Sequence, residues 1–109
     1  MIDDDTRRRL EEVGSEVEFP AGQVLIEHDA PASGLYLILE GRVAVHAHDA
    51  DVELGPGEIV GEVALLQGGT RTARVSAITP VRCLSVSREH VDAELAEALG
   101  RAGSRRGES

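Results

Sequence analysis

What most constrains the fold of this chain is a punctuated series of short apolar segments running from about Val17 to Val86. Leu35-Tyr36-Leu37-Ile38-Leu39 is one nearly continuous apolar strand, joined through Glu40-Gly41 to Arg42-Val43-Ala44-Val45-His46. Asp49-Ala50-Asp51 and Gly55-Pro56-Gly57 supply turns on either side of Val52-Glu53-Leu54. Thr72 to Ala77 and Val81 to Val86 read as the last strands, parted by Thr79-Pro80. Short strands with turn signals every several residues point to a mainly β body, a sandwich or a closed roll.

The longer helices are expected at the ends. Asp3 to Asp5 and Thr6 suit a helix start, where acidic side chains meet the positive end of the dipole, and the pattern predicts a helix over 3–13 stopped by Gly14. Ser87 reads as the cap of a second helix over 88–99, with Val91, Leu95 and Leu99 at four-residue spacing and Gly100 as its end. Residues 1–100 make one domain, and 101–109 read as a disordered polar tail.

Composition narrows the function. The formal net charge is −9, which weighs against nucleic acid as a partner, because affinity there rests on neutralising phosphates with cations. The arginine clusters Arg7-Arg8-Arg9 and Arg101, Arg105, Arg106 sit at the ends and read as solvated termini. Aromatics are only 2% of residues, so Val, Ile and Leu must fill the interior. No apolar run approaches the roughly 20 residues of a membrane span, and the acidic start resembles no secretory signal. A cytoplasmic protein is the expectation. Cys83, the single cysteine, falls in the alternating run Val81 to Val86 and is expected in the core.

One segment carries chemistry. Gly57-Glu58-Ile59-Val60-Gly61-Glu62-Val63-Ala64-Leu65-Leu66 is followed by a Gln67-Gly68-Gly69 turn and then Thr70-Arg71-Thr72-Ala73-Arg74-Val75. A guanidinium pairs with a phosphodiester through charge-assisted hydrogen bonds, roughly twice as strong as neutral ones. A short helical turn at Val63 to Leu66 would aim free N–H groups at the same anion. Gly61 lets backbone approach a ligand with no Cβ in the way, and the acceptor-only carboxylate of Glu62 suits a sugar hydroxyl. Taken singly, such an Arg and Glu are more often a solvated ion pair worth about 0–1 kcal/mol.

In order and spacing these residues resemble the phosphate-binding cassette of cyclic nucleotide-binding domains. Phe19-Pro20-Ala21-Gly22-Gln23-Val24-Leu25-Ile26 looks like that family's opening strands, and Gly34 to Val43 looks like its central hairpin. The resemblance covers roughly residues 10–99. It implies an eight-stranded β-roll (a double-stranded β-helix, jelly-roll-like) with short flanking α-helices. It assigns Glu62 to the ribose 2′-hydroxyl, Arg71 to the cyclic phosphate, and Gly61, Val63 and Ala64 to backbone contacts. Thr72 and Ala73 complete the site, with the Thr72 hydroxyl compatible with either base. The ligand implied is cAMP before cGMP, with no cofactor or metal and no catalysis. An effector protein or an output domain would carry the signal; the oligomeric state is left open.

Two departures stand out. Glu27-His28-Asp29 has histidine where relatives usually have glycine, in a loop to Tyr36 one residue longer. Relatives also carry a further helix that folds over the base as a lid, where this chain reads as a tail rich in glycine and arginine. Two rival readings are a structural interaction module of the same fold without nucleotide, and a cupin-like metal protein using His46, His48 and Glu53. In the latter, two histidines one residue apart on a strand point to the same side. Ser85, Ser87 and Cys83 lack any recognisable base for nucleophilic catalysis.

Overall fold

The computed structural model describes residues 2–30, 33–46, 51–61 and 73–104, with side chains as far as residue 100. Helix α1 (Asp4–Val13) leads into β1 (Ser15–Phe19), β2 (Val24–Ile26), β3 (Gly34–Glu40), β4 (Val43–His46) and β5 (Asp51–Leu54). β6 (Ile59–Val60), β7 (Arg74–Ala77), β8 (Val81–Ser87), a 3₁₀ turn at Arg88–His90 and α2 (Ala93–Ser104) complete the order. The strands form two four-stranded antiparallel sheets, β1-β8-β3-β6 and β2-β7-β4-β5. This is the eight-stranded roll flanked by helices that the resemblance implies, and one of the two β bodies, sandwich or closed roll, that the punctuated pattern allows.

The apolar run at Leu35 to Leu39 is continuous because β3 is buried on both faces. Leu35 and Leu37 pack with Leu10, Leu84, Val86, Leu95 and Leu99 under the two helices. Ile38 faces the other way, into an inter-sheet core with Ile26, Val43, Val45, Val60, Val75 and Cys83. Strand β8 divides likewise, with Val81 and Cys83 inward and Leu84 and Val86 toward the helices. Cys83 is therefore a core residue, and burial pushes its thiol up to about 11.

Turn chemistry sets the hairpins. Gly41 has φ +94°, and a Cβ there would lie 2.3 Å from the Pro80 carbonyl oxygen, so only glycine fits between β3 and β4. In the loop after β2 the left-handed residue is Asp29 (φ 68°), a conformation that aspartate adopts more readily than most side chains.

Two helix boundaries differ from expectation. Asp3 does cap α1, its Oδ1 accepting the Thr6 N–H at 2.8 Å, and Gly14 ends it in an extended conformation (φ −88°) rather than a left-handed one. The second helix, however, does not begin at Ser87, which makes no side-chain cap bond. The Arg88 N–H donates to the Ser33 carbonyl at 2.8 Å, prolonging the β8–β3 ladder and holding this stretch to the sheet. The helix starts after Asp92, whose Oδ1 accepts the Leu95 N–H at 2.8 Å. It runs through Gly100 to Ser104, so the first four residues assigned to the tail are helical; 105–109 lie outside the described residues.

Candidate ligand site

The site's frame is built from both sheets. β6 lies at the edge of the first sheet, with Val60 opposite Tyr36 and Ile59 opposite Leu37. In this two-residue strand Ile59 joins the helix-side cluster and Val60 joins the inter-sheet core, so both ends of its pleat are anchored. Ladder bonds continue backward through the turn, where the Ile38 N–H donates to the Glu58 carbonyl and the Gly57 N–H to the Ile38 carbonyl, each at 2.9 Å. The Gly55 N–H is held by Glu58 Oε2 at 2.8 Å.

Gly61 follows at once with φ +92°, a left-handed conformation that L side chains rarely adopt. Glycine is thus required where the backbone leaves the sheet. The chain is described again from Ala73, which is 7% exposed and belongs to the inter-sheet core, and enters β7 between β2 and β4 of the second sheet. The segment between these anchors bridges the open edge of one sheet to the interior of the other. Of the site residues proposed from sequence, Gly61 and Ala73 are the described anchors. Glu62, Val63, Ala64, Arg71 and Thr72 lie outside the described residues. Sequence reading did not single out Ile59 and Val60, although their apolar pair directly before a glycine was the available signal.

The metal alternative meets a different geometry. His46 sits on the outer face of the second sheet, its Nδ1 3.3 Å from Asp51 Oδ1 and its Nε2 3.3 Å from Ser76 Oγ. Glu53 is engaged by Arg42, Nε to Oε1 2.6 Å. His48 lies outside the described residues, and among the described residues no group of three or more His, Cys, Asp or Glu side chains could hold a metal ion. The carboxylate that the metal reading needs is thus committed to a guanidinium, on a face turned away from the inside of the roll.

Residues 16–98 match the family model of the cyclic nucleotide-binding domain. The chain belongs to that family. A cyclic nucleotide-gated potassium channel from Rhizobium etli is 45% identical over 67 residues, covering 62% of this chain and 19% of the channel. A CRP-like cAMP-activated global transcriptional regulator from Mycobacterium tuberculosis is 29% identical over 87 residues, covering 74% of this chain and 39% of the regulator. Among solved structures, the regulatory subunit of a cAMP-independent protein kinase A from Trypanosoma brucei superposes with a TM-score of 0.81 at 29% identity. It covers 94% of this chain and 39% of that one. This cyclic nucleotide-binding domain therefore spans between about a fifth and two fifths of the length of these curated relatives. Among the described residues no helix is long and apolar enough to cross a membrane.

Proposed function

We propose that this domain is a non-catalytic sensor that binds a cyclic mononucleotide, cAMP before cGMP, in the segment from Gly61 to Ala73. The observation that carries this reading is the family match across residues 16–98, which includes the whole cassette together with the glycine conformation that opens it. In this reading Arg71 pairs with the cyclic phosphate, Glu62 accepts from the ribose 2′-hydroxyl, and Gly61, Val63 and Ala64 offer backbone groups. Thr72 can bond the phosphate and, in guanine's case, an amino group. No cofactor or metal takes part, and the setting is cytoplasmic. A relative described as cAMP-activated supports the choice of base.

The route from ligand to response runs through Ile59. It lies two residues before Gly61 and packs in the same cluster as Leu10, Leu95 and Leu99, so a shift of β6 is felt by both helices. Ligand contacts would favour one placement of α2 over another, and differential affinity sets how far that equilibrium moves. An effector protein or an output domain would read the helix position.

A second reading, a module of the same fold that binds no nucleotide, has one observation in its favour: the trypanosome subunit with a TM-score of 0.81 belongs to a protein kinase A described as cAMP-independent. Isothermal titration with cAMP and cGMP, repeated on Arg71→Ala, separates the two. Losing one partner of a desolvated charge pair costs about 2–5 kcal/mol, so micromolar binding in the parent chain should vanish in the variant while its circular dichroism is unchanged. No heat and no thermal stabilisation at millimolar ligand would leave the structural module as the account.

A further inference from the structure

The helices cover only part of the first sheet's outer face. Leu35, Leu37, Leu84 and Val86 lie beneath them. Farther along the same strands the face turns to charge, with Arg82 in register with Glu18 on one side and Glu40 on the other. Arg82 Nη1 is 3.0 Å from Glu16 Oε1 and its Nε is 2.7 Å from Glu40 Oε1. Glu18, exposed and opposite Arg82, has no hydrogen-bond or ion-pair partner among the described residues.

Beside this ladder lies a cavity of about 380 Å³ lined by Glu18, Phe19, Pro20, Glu40, Pro80, Val81 and Arg82. Its floor is apolar, with Val81 buried and Phe19 half-buried and stacked edge-on against Tyr36 at 5.7 Å. Its walls are two exposed prolines on turns tied by hydrogen bonds. The Gly22 N–H donates to the Ala77 carbonyl at 2.7 Å, the Gln23 N–H to the Pro20 carbonyl at 3.1 Å, and the Arg42 N–H to Thr79 Oγ1 at 3.0 Å. The concavity is therefore preformed, so an occupant orders little protein on binding. Its volume falls in the range of about 300–1,000 Å³ found for ligand sites.

We propose that this concavity docks an arginine-bearing extended segment of a partner protein. Charge complementarity selects the occupant. Glu16, Glu18 and Glu40 set three carboxylates against the one guanidinium of Arg82. An incoming guanidinium can pair with Glu18 while its flat face lies on the proline and Phe19 surfaces, a combination of bidentate and stacking contacts that a lysine ammonium does not reproduce. A neighbouring apolar side chain of the segment would sit over Val81.

The test is an amide-resolved NMR titration of the whole chain at physiological salt, with a blocked pentapeptide Gly-Arg-Leu-Arg-Gly. Its citrulline counterpart serves as the neutral isostere. Saturable shifts confined to the amides of Glu18, Phe19, Glu40, Val81 and Arg82 are expected, with the citrulline peptide silent. Glu18→Lys should weaken binding by at least tenfold, whereas Glu12→Lys, the same charge change on an exposed position of α1, should leave it unchanged. Equal weakening by both variants, or shifts spread over every acidic face, would show non-specific attraction to an acidic protein and overturn the proposal. A chain ending at Ser104 that binds the peptide tenfold tighter would also overturn it, because the occupant would then be this chain's own Arg105-Arg106.

Discussion

The two sheets use the same strand chemistry under different burial. In the first, β3 and β8 are covered on both faces along Leu35 to Ile38 and Cys83 to Val86, by the second sheet on one side and the helices on the other. In the second, β4 and β7 alternate: Val43, Val45, Val75 and Ala77 face inward, while His46 and Arg74 face water. The difference assigns the sheets separate duties. The doubly covered sheet links β6, and so Gly61 where the proposed ligand segment begins, to the two helices through Ile59. The singly covered sheet receives the chain again at Ala73, and the core cluster it forms includes no helix residue among the described residues.

Adjacent residues of β3 offer the sharpest way to break this comparison. Leu37 and Ile38 are both fully buried, one against the helices and one between the sheets. Truncating either to alanine should cost about 2–5 kcal/mol in urea unfolding, through lost transfer energy and the cavity left behind. Their local effects should part. Leu37→Ala should speed native-state hydrogen exchange in α2 while β7 amides stay protected, and Ile38→Ala should leave α2 exchange tied to global unfolding. If both variants speed α2 alike, the two cores are one cooperative unit and the division of duties fails.

Cys83 sharpens the comparison by reporting on the inter-sheet core alone. Its folded pKa of about 11 lies above its ordinary value of 9.0 because burial disfavours the thiolate. The unfolded chain therefore loses its proton first as pH rises, and the stability that the neutral thiol confers is intact below pH 9 and lost on rising to pH 11. Two units correspond to about 2–3 kcal/mol. The slope of stability against pH between 9 and 11 should flatten in Cys83→Ala. An unchanged slope would mean that water reaches this part of the core.

The contrast between the sheets also explains what could be read in advance. Alternation exposes itself in a sequence, and Val43, Val45 and Val75 announce their inward face by period. A doubly buried strand such as Leu35 to Leu39 has no alternation, yet its continuous apolar run and the Glu40-Gly41 junction after it marked it as a strand. The family was legible because glycine, carboxylate and arginine occur in a fixed order, and the match across residues 16–98 shows that family; of the cassette itself the described residues hold only Gly61 and Ala73. What escaped was local competition between caps. Ser87 and Asp92 are both good N-caps by type, and only the Arg88 to Ser33 bond, a contact across the fold, decides for Asp92. Gly100 misled for a related reason: glycine inside a helix costs about 0.5–1 kcal/mol, a sum that continued helix formation outweighs here.

That competition gives a smaller prediction on the helix-covered side. Asp92→Ala removes the acceptor for the Leu95 N–H and should cost about 1 kcal/mol. Ser87→Ala, which deletes no side-chain cap bond, should fall within about 0.5 kcal/mol of the parent. Thermal denaturation of the pair distinguishes them, and a larger loss from Ser87→Ala would restore the serine as the cap.

The smallest effect belongs to the water-facing side of the second sheet. Glu53 and Arg42 meet at 2.6 Å, the shortest ion pair among the described residues of this face, yet both side chains are about half exposed (55% and 49%). An exposed pair gains little Coulomb energy in high dielectric and spends side-chain entropy to hold its geometry. Glu53→Gln should therefore change stability by about 0–1 kcal/mol, and by less in molar salt, where charges a few ångström apart are screened. Guanidinium is unsuitable as the denaturant here because it is itself a salt, so urea melts at two salt concentrations are the measurement. A loss of several kcal/mol would mean that this face is covered in the folded protein, and the contrast between a doubly covered and a singly covered sheet would then have to be redrawn.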